Sequence, residues 1–283
     1  MIKNYLKVAW RHLLQNKGFS FINIFGLAVG MAFAILIGLW IQYELSFDKF
    51  HTNRDNIAMV LKHHHFNNEK GTQSSTPLPL FYEFKSNYPE VKYASRMDWT
   101  QMTNMIVGEK KFNKIGQYVD PDFLKMFSFP IVKGNAETAL NDIHSIIISE
   151  TLASTLFGSE DPLGKTIRMN NDYDVKVAAV MKDVPKNSTL QFDFLGPYEY
   201  LMSVNEFFRN QKSNWQNNFL MNVVQVKDGV SMEAFSKKIR TLNTDKDPAL
   251  KELYMFLQPL KDWHLRNEYK DWIQTGGKFE YVR

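Results

Sequence analysis

Three consecutive imidazoles, His63-His64-His65, form a dense run of potential metal ligands. On a β-strand His63 and His65 share one face, and two imidazoles there can begin a metal site. Neither His51 nor Glu69 stands at a spacing that ties it to them as a third ligand, so polar residues on an exposed strand are the expected role. Asp120 and Asp122 flank Pro121, which suits a turn and a helix start better than a general acid–base pair. The 283 residues contain no cysteine, which excludes disulfides, a thiolate nucleophile and thiolate-held metals. No G-x-S-x-G, H-E-x-x-H or phosphate-loop motif is present. The expectation is a non-enzyme with no cofactor, no metal and no catalytic residues.

The distribution of charge is more informative. Lys and Arg number 34 against 30 Asp and Glu, a net charge of +4. That excess equals the cations Lys3, Lys7, Arg11 and Lys17, which precede an uncharged stretch, Phe19–Tyr43; the first acidic residue is Glu44. Twenty-five helical residues would reach about 37 Å, enough to cross a ~30 Å hydrocarbon core with some tilt. The positive-inside rule puts residues 1–18 in the cytoplasm and everything after residue 44 outside. A cleaved signal peptide, with Ala32-Phe33-Ala34 as its small-x-small site, is the competing reading. The apolar run continues through Ile35–Ile41, where polar mature sequence would be expected. The remaining residues, roughly 240 by difference, suffice for one large or two small domains with their own cores. Being near neutral, they offer no general attraction to nucleic acid.

Two patterns mark this segment. Over residues 2–16, Ile2, Tyr5, Leu6, Ala9, Trp10 and Leu13 share one helical face while Lys3, Lys7 and Arg11 stand four apart on the other. With Lys17 they form a basic face suited to anionic headgroups, so residues 1–18 are expected to lie on the cytoplasmic membrane surface against lipid. Within the span, Gly26, Gly30, Ala34 and Gly38 recur every four residues. Such a small-residue ridge lets a second membrane helix approach closely.

Beyond the span, residues 44–55 can continue the helix outward as a stalk. Strands are expected at 56–66, 91–99, 129–132, 145–149, 166–169, 174–183, 219–226 and 254–257, with a hairpin over 103–118 around Gly108-Glu109. Helices are expected at 77–88, 121–127, 150–157, 198–208 and 231–242. Ser149 is placed as an N-cap, Gly158 as a terminator, and Asp183–Asn187 as a turn. Two passages thereby read as β-α-β units flanking a strand-rich middle. The tail 261–283 shows no clear pattern.

Several spaced motifs within Tyr118–Pro197 agree in order: Asp120-Pro121-Asp122-Phe123, Phe127-Ser128-Phe129-Pro130 with Gly134, Ile148-Ser149-Glu150 with Leu156-Phe157-Gly158, and Asp161-Pro162-Leu163-Gly164-Lys165. Asp183-Val184-Pro185 with Asn187-Ser188 and Gln191-Phe192-Asp193-Phe194 complete the set, and Trp10-Arg11, Asn16-Lys17 and Phe25-Gly26-Leu27-Ala28-Val29-Gly30 open the chain. Together they resemble the N-terminal portion of MacB/FtsX-type ABC transporter permeases, a first membrane helix and the periplasmic core domain, over most of residues 1–260.

The resemblance implies an α+β fold in which one transmembrane helix (19–43) is followed by a two-lobed periplasmic domain (44–283). A β-α-β Porter-like lobe (44–99 and 192–283) would carry an inserted β-rich Sabre-like lobe (100–191). It also implies a permease subunit in the bacterial inner membrane that relays ATPase-driven motion outward. The partners would be a separate cytoplasmic ABC ATPase, a second permease copy or half, and periplasmic proteins. Family permeases usually carry further spans after this domain, so the chain is expected to be the N-terminal part of one. The rival reading is a single-pass, membrane-anchored periplasmic ligand-binding or sensor module, and a metal-dependent enzyme is a distant third.

Overall fold

The computed structural model describes residues 2–66 and 69–282, and the chain separates into an N-terminal helical unit ending at Ser46 and a β-rich unit from Phe47. The first unit holds α1 (Ile2–Gln15) and α2 (Lys17–Glu44), interrupted at Asn16, whose backbone leaves helical geometry at φ −109°, ψ 55°. The 28 residues of α2 span about 42 Å, and none of them is buried. A helix apolar on every side that finds no protein to cover it has lipid as its natural solvent. The expected stalk does not form. Leu45 caps α2, its N–H donating to the Ile41 carbonyl while Ser46 N–H donates to that of Tyr43, and residues 45–56 run as turns. Asp48 takes φ 57°, a left-handed conformation that ends any α-helix, and its carboxylate accepts from both the backbone and the hydroxyl of Thr189.

The second unit runs, in chain order, β1 (Ile57–Phe66), β2 (Glu69–Gln73), β3 (Thr76–Pro77), α3 (Pro79–Asn87), β4 (Val91–Met97), β5 (Gln101–Val107), β6 (Lys110–Val119), α4 (Phe123–Met126), β7 (Ile131–Gly134), β8 (Ser145–Ser149) and α5 (Glu150–Phe157). It continues with β9 (Thr166–Met169), β10 (Tyr173–Met181), β11 (Phe194–Pro197), α6 (Tyr198–Val204), α7 (Glu206–Asn210), β12 (Asn218–Val226), α8 (Met232–Ile239), α9 (Leu242–Lys246) and β13 (Tyr254–Pro259). A hairpin, β14 (Glu268–Lys270) and β15 (Ile273–Gly276), and a turn of helix, α10 (Phe279–Val282), follow.

Four strands lie in the order β4-β12-β1-β13, each antiparallel to its neighbour. β1 and β4 are therefore parallel with β12 between them, and β12 and β13 are parallel with β1 between them. The two expected β-α-β passages thus interlock as split units, β1-α3-β4 and β12-α8-β13, an arrangement of ferredoxin-like type. Both helices cover one face of this sheet, where Val60, Phe84, Val224, Phe235 and Leu257 form a core. Alternation along the strands is the cause: Ala58 and Val60 face the helices, while Ile57 and Met59 face the opposite core.

Between β4 and β12 the chain builds a second structure. β5 pairs with β6 and β9, β9 with β10, β10 with β8, and β8 with β11. β11 then runs parallel to β6 over four residues, Phe194–Pro197 against Gly116–Val119. That pairing closes six strands into a ring, which removes the exposed edges. Gly116 makes the closure possible, because a Cβ there would overlap the Phe194 ring. The Ser-Ile-Ile-Ile-Ser run of β8 is buried throughout because it separates two cores: Ile146 and Ile148 face the ring interior, Ile147 the outer cluster around Phe123 and Phe127. A register shift between Val177 and Ala179 reverses the alternation of β10, so Val175, Val177 and Val180 all join the interior core.

Local signals are confirmed at several points. The Ser149 hydroxyl accepts from Leu152 N–H at 3.2 Å, and Gly158 ends α5 at φ 64°. Gly108, at φ 59°, turns the β5–β6 hairpin between Val107 and Lys110. The expected 198–208 helix is instead two, because Asn205 breaks α6 and caps α7 by accepting from Phe207 N–H at 3.0 Å. The 231–242 helix likewise stops at Ile239, and Arg240 turns its carbonyl to Met255 N–H at 2.9 Å. Pro77 belongs to β3, so that helix begins at Pro79, and the 129–132 strand forms two residues later, at 131–134. β2, β11 and the tail hairpin β14–β15 had no clear sequence signal.

Candidate functional site

On α1, Lys3, Lys7 and Arg11 are exposed four residues apart, and Lys17 opens α2 instead of ending α1. Gly26, Gly30, Ala34 and Gly38 lie exposed along α2, and a Cβ built on any of the three glycines would meet nothing within 4 Å. The ridge is open to a neighbouring helix.

The histidines are drawn into packing. His63 donates to or accepts from the Thr72 hydroxyl at 2.8 Å and stacks on Phe256 with ring centres 4.4 Å apart. Burial first, then the Arg240 and His64 charges, lower its pKa to about 4. His65 instead meets the Glu252 carboxylate. Among the described residues no three His, Cys, Asp or Glu side chains gather as a metal set. His51 is 3% exposed; burial lowers its pKa to about 4, and its Nδ1 accepts from Ser128 N–H at 3.0 Å. Accepting there requires the neutral ring.

The residues that carry the resemblance serve as joints. Asp183 accepts from Thr151 at the start of α5, Gln191 donates to the carbonyls of Pro185 and Ser188, and the Asp193 carboxylate takes Ile115 N–H. Asp120 forms the strongest joint, with Arg96 of β4. Their side chains bond at 2.5 and 2.9 Å, and the same carboxylate accepts Arg96 N–H at 2.7 Å. Arg96 also reaches Glu199 at 2.6 Å and lies between the rings of Phe81 and Tyr198, 4.4 and 4.5 Å from their centres. Burial alone would lower its pKa, but the hydrogen bonds and charge of Asp120 outweigh that and hold it raised. Nothing in the local pattern around Arg96 separated it from an ordinary strand cation; only the fold supplies its partners.

On the sheet face opposite α3 and α8 lies an open cleft of about 590 Å³. Met59 and Leu61 of β1, Met97 of β4 and Met221 of β12 lay its floor; Trp99 and Trp263 are among its walls. Sequence reading missed it, since its residues come from seven strands and four connecting segments.

A helix, a split β-α-β sheet and an inserted strand ring thus follow one another along the chain. The family model described as the MacB-like periplasmic core domain matches residues 20–242, most of α2 and the domain together. The chain belongs to this family. Among solved structures, the MacB-like chain is similar to a domain of a protein assigned as a permease from Porphyromonas gingivalis, at 25% identity and TM-score 0.63, over 75% of this chain and 92% of that one. The periplasmic region of MacB from Actinobacillus actinomycetemcomitans aligns at 14% identity and TM-score 0.53, covering 72% and 89%. The extracellular domain of the noncanonic ABC-type transporter YknZ from Gram-positive bacteria aligns at 17% and 0.53, covering 71% and 99%. The last two likenesses speak for the fold alone. No curated protein sequence matches the chain. The chain thus carries a MacB-like periplasmic core domain preceded by α2, a helix long and apolar enough to cross a membrane.

Proposed function

We propose that the chain is the N-terminal part of a MacB/FtsX-type permease subunit, which relays motion driven by a separate cytoplasmic ABC ATPase to its periplasmic domain. The observation that carries this reading is the family match running without a break from α2 through the first β-α-β unit and the inserted ring to the end of α8. In this reading α2 crosses the bacterial inner membrane with the N-terminus cytoplasmic, as the Lys3, Lys7, Arg11 and Lys17 bias supports. The basic face of residues 1–18 rests on anionic lipid, and Gly26, Gly30, Ala34 and Gly38 pack against a helix of the same permease or its second copy. Periplasmic proteins are the clients, and nucleic acid is not a partner. We divide the domain into a Porter-like lobe holding the interlocked β-α-β units and a Sabre-like insertion beginning near residue 100. The pairing of β11 with β6 and β8 favours extending the insertion from 191 to Pro197.

Reporter fusions at residue 60 test the orientation: alkaline phosphatase should be active there and a cytoplasmic fluorophore dark. The opposite pattern overturns the reading. Co-purification of an ABC ATPase with the membrane-embedded chain tests the relay, and its absence under conditions that preserve assembly counts against it. The cleft favours a second reading, a membrane-anchored ligand-binding module, which shares the same topology.

A further inference from the structure

We propose that the cleft on the sheet face binds an uncharged aromatic small molecule carrying an N–H or O–H donor. Its volume of about 590 Å³ lies within the range of small-molecule sites. Among the described residues no Asp, Glu, Lys, Arg or His lines it. A charged ligand would surrender its hydration there with no counter-charge in return, so the occupant is neutral.

The apolar lining narrows the class further. Three thioethers, Met59, Met97 and Met221, meet two indoles and the Tyr269 ring around one space. Methionine sulfur makes favourable contacts with aromatic rings, and unbranched thioethers adapt to a flat guest. Trp263 is 5% exposed and held by its indole N–H on the Gln258 carbonyl at 3.0 Å, so that wall is set before a ligand arrives. Trp99, 46% exposed, stands at the mouth.

The requirement for a donor comes from Gln117. This residue lines the cleft at 1% exposure; its Nε2 donates to the Asp98 carbonyl at 2.8 Å, which fixes the amide orientation, and its Oε1 is buried without any hydrogen-bond donor. An unpaired buried acceptor is costly, and a ligand N–H or O–H that reached it would remove the cost. The site stands within the domain and does not depend on transport or on an ATPase.

The test uses the full chain in detergent micelles with ¹³C-methyl methionine, titrated with indole. Saturable shifts are expected at the Met59, Met97 and Met221 methyls, with Met31 of α2 reporting simple partition into the micelle. 1-Methylindole keeps the ring and lacks the donor, and should bind about tenfold more weakly, the worth of one modest hydrogen bond. Indole-3-acetate, which carries a carboxylate, should bind more weakly still. Gln117→Met should abolish the preference for indole over 1-methylindole, and Trp99→Ala should weaken both. Absence of saturable shifts at the three cleft methyls overturns the site. Equal affinity of the unaltered chain for indole and 1-methylindole overturns the donor assignment without any variant, and tighter binding of indole-3-acetate overturns neutrality.

Discussion

Arg96 and Asp120 face each other beside Met97 and Val119, the one residue pair at which β4 is in register with β6. Through that point the split β-α-β sheet connects to the six-stranded ring, and little main-chain pairing holds the two together there. The side chains supply what the ladder lacks. Arg96 is 1% exposed, two-point bonded to Asp120 and flanked by two aromatic rings, and Glu199 adds a third oxygen from the half-exposed side. Asp120 also takes a backbone bond from Arg96, while its own N–H goes to the Ser95 hydroxyl at 3.0 Å. Narrow as the joint is, its buried charges are fully partnered.

Removing one partner should therefore be severe. Arg96→Met leaves a buried carboxylate without its cation and should cost about 3–5 kcal/mol, measured by urea denaturation of the chain in mild detergent. Arg96→Lys should recover only part, because an ammonium cannot reproduce the two-point fork. A loss below 1 kcal/mol for Arg96→Met would show that the joint is held elsewhere.

Closure of the ring rests on Gly116. Gly116→Ala places a methyl where the Phe194 ring lies, and should destabilise by about 1–3 kcal/mol. Amide hydrogen exchange should locate the loss in β6 and β11, with β1 and β13 keeping their protection.

His51 makes stability depend on pH. Its folded pKa is about 4 against an unfolded value of 6.5, lowered by burial. Above pH 6.5 both states hold the neutral ring and the full stability is present. As pH falls from 6.5 to about 4, the unfolded chain gains a proton that the folded one refuses, so stability drops, by on the order of 3 kcal/mol at most. His51→Gln should flatten part of that decline. His63, also lowered to about 4, acts in the same window and should account for a further part. Denaturation midpoints at pH 7, 5.5 and 4.5 read the slopes, and an unchanged slope in His51→Gln refutes the assignment.

The α2 ridge gives a prediction in the membrane. Gly30→Leu should insert normally, since leucine is favourable in lipid, while weakening helix association by about 1 kcal/mol or more. Cross-linking between α2 and neighbouring membrane helices measures it. Unchanged cross-linking in both Gly26→Leu and Gly30→Leu would mean that this face looks onto lipid.

Local chemistry determined much of this protein before any fold was known. The balance of cations around Phe19–Tyr43 marks a membrane helix, because bilayer thickness and headgroup charge act on a continuous stretch of chain. Ser149, Gly158 and Gly108 mark the ends of their elements, because caps and turns are decided by three or four residues. The two β-α-β passages showed in the order of strands and helices along the chain, though not that they interlock. Tertiary structure decided the rest. The ring exists only because Phe194 comes to lie over Gly116, the lock because Arg96 meets Asp120 and Glu199, and the cleft because Met59, Gln117 and Tyr269 converge on one sheet face. Strand pairing and burial are set by partners distant in the chain, so a four-residue strand such as β11, or a single arginine in β4, shows its role only once those partners are in place.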